Sequence, residues 1–67
     1  MREGFRREIE WVKRCSARME SQGLDEWFAW GAAWRLTMKE IERTGSREPE
    51  DWASPEDAAE TGGRGEG

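Results

Sequence analysis

Few side chains in this 67-residue chain could carry out catalysis, and histidine is not among them. Histidine is the usual general base near neutral pH and the commonest metal ligand. A catalytic centre would therefore depend on carboxylates, on Lys13 and Lys39, or on the single cysteine, Cys15. One thiol can form no internal disulfide and fits no zinc or redox spacing. We interpret Cys15 as a small, semi-buried thiol in a reducing cytoplasm.

The carboxylates occur in close pairs, such as Asp25 with Glu26 and Glu40 with Glu42. A general acid needs a carboxyl group whose pKa is raised by burial, and no apolar flank here would bury one. The glycines near the end of the chain lack the preceding strand and following helix of a phosphate-binding loop. The sequence therefore predicts no enzymatic activity, no cofactor, no metal and no small-molecule substrate.

A helix is predicted over the first twenty residues, where apolar or small side chains recur at helical spacing. Intervals of 4, 3, 4 and 3 confine these side chains to one stripe of a helix. Gly23 supplies the left-handed residue that commonly ends a helix. The residues of the stripe are Phe5, Ile9, Val12, Ser16 and Met19.

A second helix is predicted from the N-cap Asp25 to the stop at Thr44 and Gly45. Its first part, EWFAWGAAWR, is rich in tryptophan. Gly31 lies within the apolar side, where a glycine costs about 1 kcal/mol relative to alanine, so we expect a close approach of another helix or a bulky side chain there. The residues that share this side, with Phe28 at its margin, are Leu24, Trp27, Trp30, Gly31, Trp34, Met38 and Ile41.

These patterns predict an all-α fold, with an antiparallel two-helix hairpin over residues 1–45. A hairpin of this size cannot bury its whole apolar stripe, because small chains bury little surface. We therefore expect it to need a second surface, such as a second copy that completes a four-helix bundle. No apolar run approaches the ~20 residues of a membrane span.

An acidic, mostly disordered C-terminal tail is predicted over residues 46–67, which contain both prolines and four of the eight glycines. From residue 44 onward the chain has two basic and seven acidic residues, whereas residues 1–20 contain six basic and four acidic residues. Ser54 and Pro55 have the cap pattern of a short helix at 54–60. Trp52 has three open interpretations: it folds back on the hairpin, docks on a basic partner, or belongs to a disordered tail.

The aromatic stripe favours a small non-enzymatic protein-protein interaction module, because tryptophan and arginine are enriched in interface hot spots. We expect an accessory subunit, inhibitor or assembly adaptor, encoded by a phage or plasmid, that binds a protein partner or a second copy of itself as a homodimer or within a larger complex. The predicted partner-binding residues are Trp27, Phe28, Trp30, Gly31, Trp34, Met38 and Trp52.

The alternative function is nucleic-acid binding by a dimeric helical hairpin. A basic line on the first helix could follow phosphates while an aromatic ring stacks on a base. The net charge of −4 and the interspersed glutamates count against this hypothesis. Its candidate contacts are Arg7, Trp11, Arg14 and Arg18.

Overall fold

A computed structural model describes the backbone of residues 3–63 and the side chains of residues 5–60. Two long helices, α1 (Glu3–Ser21) and α2 (Glu26–Thr44), pack against each other. A 3-10 turn at Pro49–Asp51 leads to a short helix, α3 (Pro55–Gly63), which packs on α1 and also contacts α2. The expected all-α class is confirmed for the described part of the chain, which contains no strand.

Local hydrogen bonds explain where the two long helices end and begin. Gly23 has a φ of 99°, and the N–H of Leu24 donates to the Met19 carbonyl at 3.1 Å, which closes α1. The Asp25 carboxylate accepts from the N–H groups of Trp27 and Phe28 at 3.0 and 3.3 Å, which satisfies donors of the first turn of α2. The connection between the helices is therefore only four residues long.

The core lies between α1, α2 and the tail, and all three contribute to it. Ser16 and Thr37 are buried as well, and their hydroxyl groups donate to carbonyls one turn back within their own helices. The partly buried side chains around this core are Leu24, Ala32, Trp34, Leu36 and Ile41. The buried apolar residues are Trp11, Val12, Cys15, Met19, Ala29, Ala33, Trp52, Ala58 and Ala59.

The orientation of α2 places its small residues in the core. The buried residues of α2 are Ala29, Ala33 and Thr37. On its predicted apolar side, Leu24, Trp34 and Ile41 are half-buried, and the exposed residues are Trp27, Trp30, Gly31 and Met38. Small side chains let two helices approach closely, and the remaining volume of the core is filled by the indoles of Trp11 and Trp52. The space between α2 and α1 is therefore occupied, and it leaves less room for the tryptophans of α2.

The apolar stripe of α1 is correctly predicted in its middle and wrong at its start. Val12, Ser16 and Met19 are buried, but Phe5 is 48% exposed. Trp11 and Cys15, on the margin of the stripe, are fully part of the core. The core is therefore shifted toward the side of α1 that receives the tail.

The expectation of a mostly disordered tail is wrong for residues 46–60. Trp52 is only 6% exposed, and Ala58 and Ala59 are buried beside it. The Ser54 hydroxyl accepts from the N–H of Asp57 at 3.2 Å and caps α3, with Pro55 at its first position. The segment is ordered by the indole of Trp52 and by the small side chains of Ala58 and Ala59, which pack in the core beside α1. Residues 64–67 of the predicted tail lie outside the described residues.

Trp52→Ala is expected to lower the free energy of unfolding by about 3–4 kcal/mol, because it removes a buried indole from a small core. Trp27→Ala is the matched control, since that indole is 80% exposed and its loss should change stability by less than about 0.5 kcal/mol. Urea unfolding followed by circular dichroism measures both variants. Equal losses in the two variants would contradict the burial described above.

Candidate protein-binding surface

A large apolar surface lies on the side of α2 that faces away from α1. We call it the aromatic face. Trp27 is 80% exposed, Met38 70%, Phe28 62% and Trp30 38%. Four of the five large apolar side chains that are exposed in residues 5–60 belong to this face. The aromatic face consists of Trp27, Phe28, Trp30, Gly31, Trp34 and Met38.

The helix geometry holds these side chains in place. At 100° per residue, the row Ala29, Ala33 and Thr37 lies about 130° around α2 from the centre of the aromatic face. Trp34 is half-buried against the core, and its ring meets the ring of Trp30 edge-on, with centroids 6.1 Å apart and an interplanar angle of 83°. This geometry is favourable for aromatic pairs. Trp34 thus links the exposed face to the core.

Gly31 lies in a shallow groove on the Phe28 side of the aromatic face. A Cβ atom placed on Gly31 would have no neighbour within 4 Å. Phe28, Ala32 and Arg35 line the groove with it, and its volume is about 180 Å³. The close approach expected at Gly31 is therefore not made by the described residues of this chain, and the groove has an apolar floor with a cationic rim.

The arginines of the predicted basic line of α1 are paired with acidic residues of the tail and remain partly exposed. Arg7 pairs with Glu50, Arg14 pairs with Glu56 at 3.0 Å, and Arg18 pairs with Glu60. Trp11, the aromatic member of the line, is only 5% exposed and cannot stack on a base. These four residues hold the tail on α1, so the nucleic-acid surface expected from the sequence is not a free basic surface. The cause is charge complementarity between the two ends of the chain.

Trp52 is an internal contact, and this corrects its assignment as a partner-binding residue. Its ring meets the ring of Trp11 edge-on, with centroids 5.1 Å apart and an interplanar angle of 89°. The indole N–H of Trp52 donates to the Ser46 carbonyl at 3.0 Å, and that of Trp11 donates to the Ala53 carbonyl at 3.0 Å. Both indole N–H groups therefore have a hydrogen-bond acceptor. Trp52 folds back on the hairpin at α1, which is one of the three interpretations that the sequence left open.

Glu40 joins α2 to the tail, a role that the sequence did not indicate. Its Oε1 accepts from the backbone N–H of Ala53 at 3.1 Å and from the Arg43 guanidinium. The hydrogen bond from Arg43 lowers the pKa of Glu40, burial opposes this, and the Ala53 N–H assists it. The spacing of Glu40 and Arg43 shows only an ordinary pair within one helix. The contact with Ala53 joins residues 13 apart, and no local signal reveals it.

Comparison with known proteins gives no relative: no family model matches the chain, and neither a curated protein nor a solved structure is similar to it. Within residues 3–63, no helix has the length and apolar content needed to cross a membrane. The candidate surface is therefore defined by the exposure and geometry of its own residues.

Acidification is expected to weaken the fold below pH 4.5. Glu40 has a folded-state pKa lowered from 4.5 by Arg43, and that of Glu56 is lowered by its own backbone N–H and by Arg14. Ionised groups of this kind stabilise the folded state above their unfolded pKa, and the stabilisation is lost as pH falls through the folded pKa. Glu40→Gln should therefore lose less stability than wild type between pH 5 and pH 3 in urea titrations. Equal slopes would contradict this role for Glu40.

The Cys15 thiol is expected to be unreactive while the protein is folded. Burial raises its pKa to about 11, and the nearby charge of Glu56 adds to the effect. A rise of this size lowers the thiolate fraction about a hundredfold near neutral pH. A chromogenic disulfide reagent should modify Cys15 slowly in native buffer and completely in concentrated urea. Fast stoichiometric reaction of the native protein would contradict the burial of this side chain.

Proposed function

We propose that the protein is a small non-enzymatic protein-binding module that docks through its aromatic face. The observation that carries this proposal is the exposure of Trp27, at 80%, beside the exposed Phe28 and Met38 on one helix side. Contiguous apolar patches on soluble proteins are often binding sites. Tryptophan is also the residue most enriched in the energetic centres of interfaces. The exposed apolar area is therefore best explained by a protein partner.

The proposed architecture extends the packing of α1 on α2. We propose that these helices form an antiparallel hairpin, because their connection is only four residues long. The aromatic face points away from α1, so a partner helix would contact α2 without displacing α1. Two copies joined this way would place their α2 helices in the centre and their α1 helices outside, which is more open than the four-helix bundle expected from the sequence.

The proposed biological role is that of an accessory subunit, inhibitor or assembly adaptor encoded by a phage or plasmid. The lack of histidine in this sequence and the exposed aromatic face support a role in binding over one in catalysis. A buried thiol with a raised pKa is compatible with the cytoplasmic location that we propose. Nucleic-acid binding has less support, because Arg14 and Arg18 are paired with glutamates and Trp11 is buried.

The double variant Trp27→Ser/Phe28→Ser is expected to abolish partner binding and leave the fold intact, because both side chains are exposed. A loss of at least about tenfold in affinity is expected for residues at the centre of an interface. Tagged wild type and variant are incubated with extract of the source cells, and the retained proteins are quantified by mass spectrometry. Lys13→Ser/Ala17→Ser, at two exposed positions of α1, is the matched control.

Proteins, including untagged copies of the chain, that are retained by wild type and by the control but not by the double variant would support the proposal. Identical retention by all three proteins would refute it. Nucleic acid that is retained equally by the double variant, and released steeply by moderate salt, would favour the alternative function.

A further inference from the structure

We infer that the aromatic face takes a second copy of the same chain, with the two α2 helices antiparallel about a two-fold axis between Gly31 and Trp34. This inference rests on the proposed function, because it names the partner of the same surface. A two-fold interface must be self-complementary, since each copy presents the same patch to the other. The spacing, size and charge of the residues on the aromatic face meet this requirement.

The spacing of the face is that of a helix-pairing seam. Trp27, Gly31, Trp34 and Met38 are separated by 4, 3 and 4 residues, the alternation by which one helix side keeps contact with another over several turns. In an antiparallel pair, residues lie opposite each other when their numbers have a constant sum. A sum of 65 uses all four positions, because it places Trp27 opposite Met38 and Gly31 opposite Trp34 of the second copy.

The sizes of the opposed residues fit this register. Gly31 leaves room for the exposed part of the Trp34 side chain of the second copy, because a Cβ atom on Gly31 would have no neighbour within 4 Å in the single chain. The glycine therefore has no packing role within the described chain, although it costs about 1 kcal/mol in helix stability. At the outer ends of the seam, the flexible Met38 can adapt to Trp27.

The charges beside the seam fit the same register. Residues that flank the seam on one side also lie opposite each other across the two-fold axis, and their residue numbers add up to 63, two less than for the seam residues. This places Phe28 opposite Arg35 of the second copy. Both residues line the groove at Gly31. The guanidinium of each copy would lie over the aromatic ring of the other, a favourable cation–π contact. Because a two-fold axis relates the two copies, the dimer contains this contact twice.

The exposed apolar area is sufficient for a reversible dimer. The large side chains of the aromatic face expose on the order of 500 Å² per copy, given about 150–250 Å² for a whole aromatic side chain. Two copies would bury at most about 1,000 Å² of these side chains, which is the lower limit for a specific interface. We therefore expect a dimer that dissociates at concentrations on the order of 1–100 µM.

Gly31→Leu tests the interface with little risk to the fold. The substitution fills the space that Trp34 of the second copy would occupy, so the dimer should weaken at least about tenfold. The monomer should keep or gain stability, because leucine has the higher helix propensity and the site is open. Sedimentation equilibrium of the purified full chain measures the dissociation constant. Ala17→Leu, a small-to-large change at an exposed position of α1, is the matched control and should leave the dimer unchanged.

Two opposite charges at Phe28 test the register. Phe28→Glu places a carboxylate beside Arg35 of the second copy, whereas Phe28→Lys places a like charge there. Both variants lose the same ring, so their difference reports the charge across the interface. The dimer of Phe28→Glu should be about tenfold tighter than that of Phe28→Lys, because two symmetric contacts change sign. Equal dissociation constants would overturn the proposed register.

The remaining outcomes separate this inference from the proposed function. A wild-type chain that stays monomeric up to about 500 µM, together with capture of another protein that depends on Trp27 and Phe28, would refute the second copy and leave the protein-binding function intact. A monomer without any such capture would refute both. A dimer that is insensitive to Gly31→Leu would place the interface elsewhere and overturn this inference.

Discussion

The edge-to-face contact between Trp11 and Trp52 determines how this chain uses its five tryptophans. Both indole N–H groups donate to backbone carbonyls of the tail, so the two large rings are buried without an unsatisfied polar atom. Aromatic pairs of this geometry stabilise a core by more than their buried area alone. The contact fills the core from the side of the tail and leaves α2 to supply small residues.

The exposed ion pairs between α1 and the tail have a different role from the indole contact. Single surface salt bridges contribute about 0–1 kcal/mol each, so the pairs of Arg7, Arg14 and Arg18 add little to stability individually. They follow the length of α1 and fix which side of it receives the acidic segment. They also neutralise the one basic line of the sequence. The same contacts that order the tail thus remove the support for nucleic-acid binding.

Local rules predicted the elements of this fold better than their packing. The end of α1 at Gly23 and the start of α2 at Asp25 follow from short-range hydrogen bonds, which the sequence displays directly. The rotation of α2 depends on Trp52, which is distant in sequence. A helical wheel also gives more weight to tryptophans than to the alanines that are buried. The excess of apolar side chains over what a hairpin can bury did predict an exposed aromatic surface.

The docked tail is joined to α2, the helix that carries the aromatic face, by the hydrogen bond from Ala53 to Glu40. Removal of Trp52 from Trp11 would leave a space in the core, because both rings are buried there. The small residues of α2 pack inward in this core, and the exposed Trp27 and Phe28 stay on the outer side of the helix. The contacts of Glu40 with Ala53 and Arg43 hold α2 and the tail in that arrangement before any partner binds. Such preorganisation reduces the entropic cost of association, so the tail contributes to binding at a surface that it does not itself form.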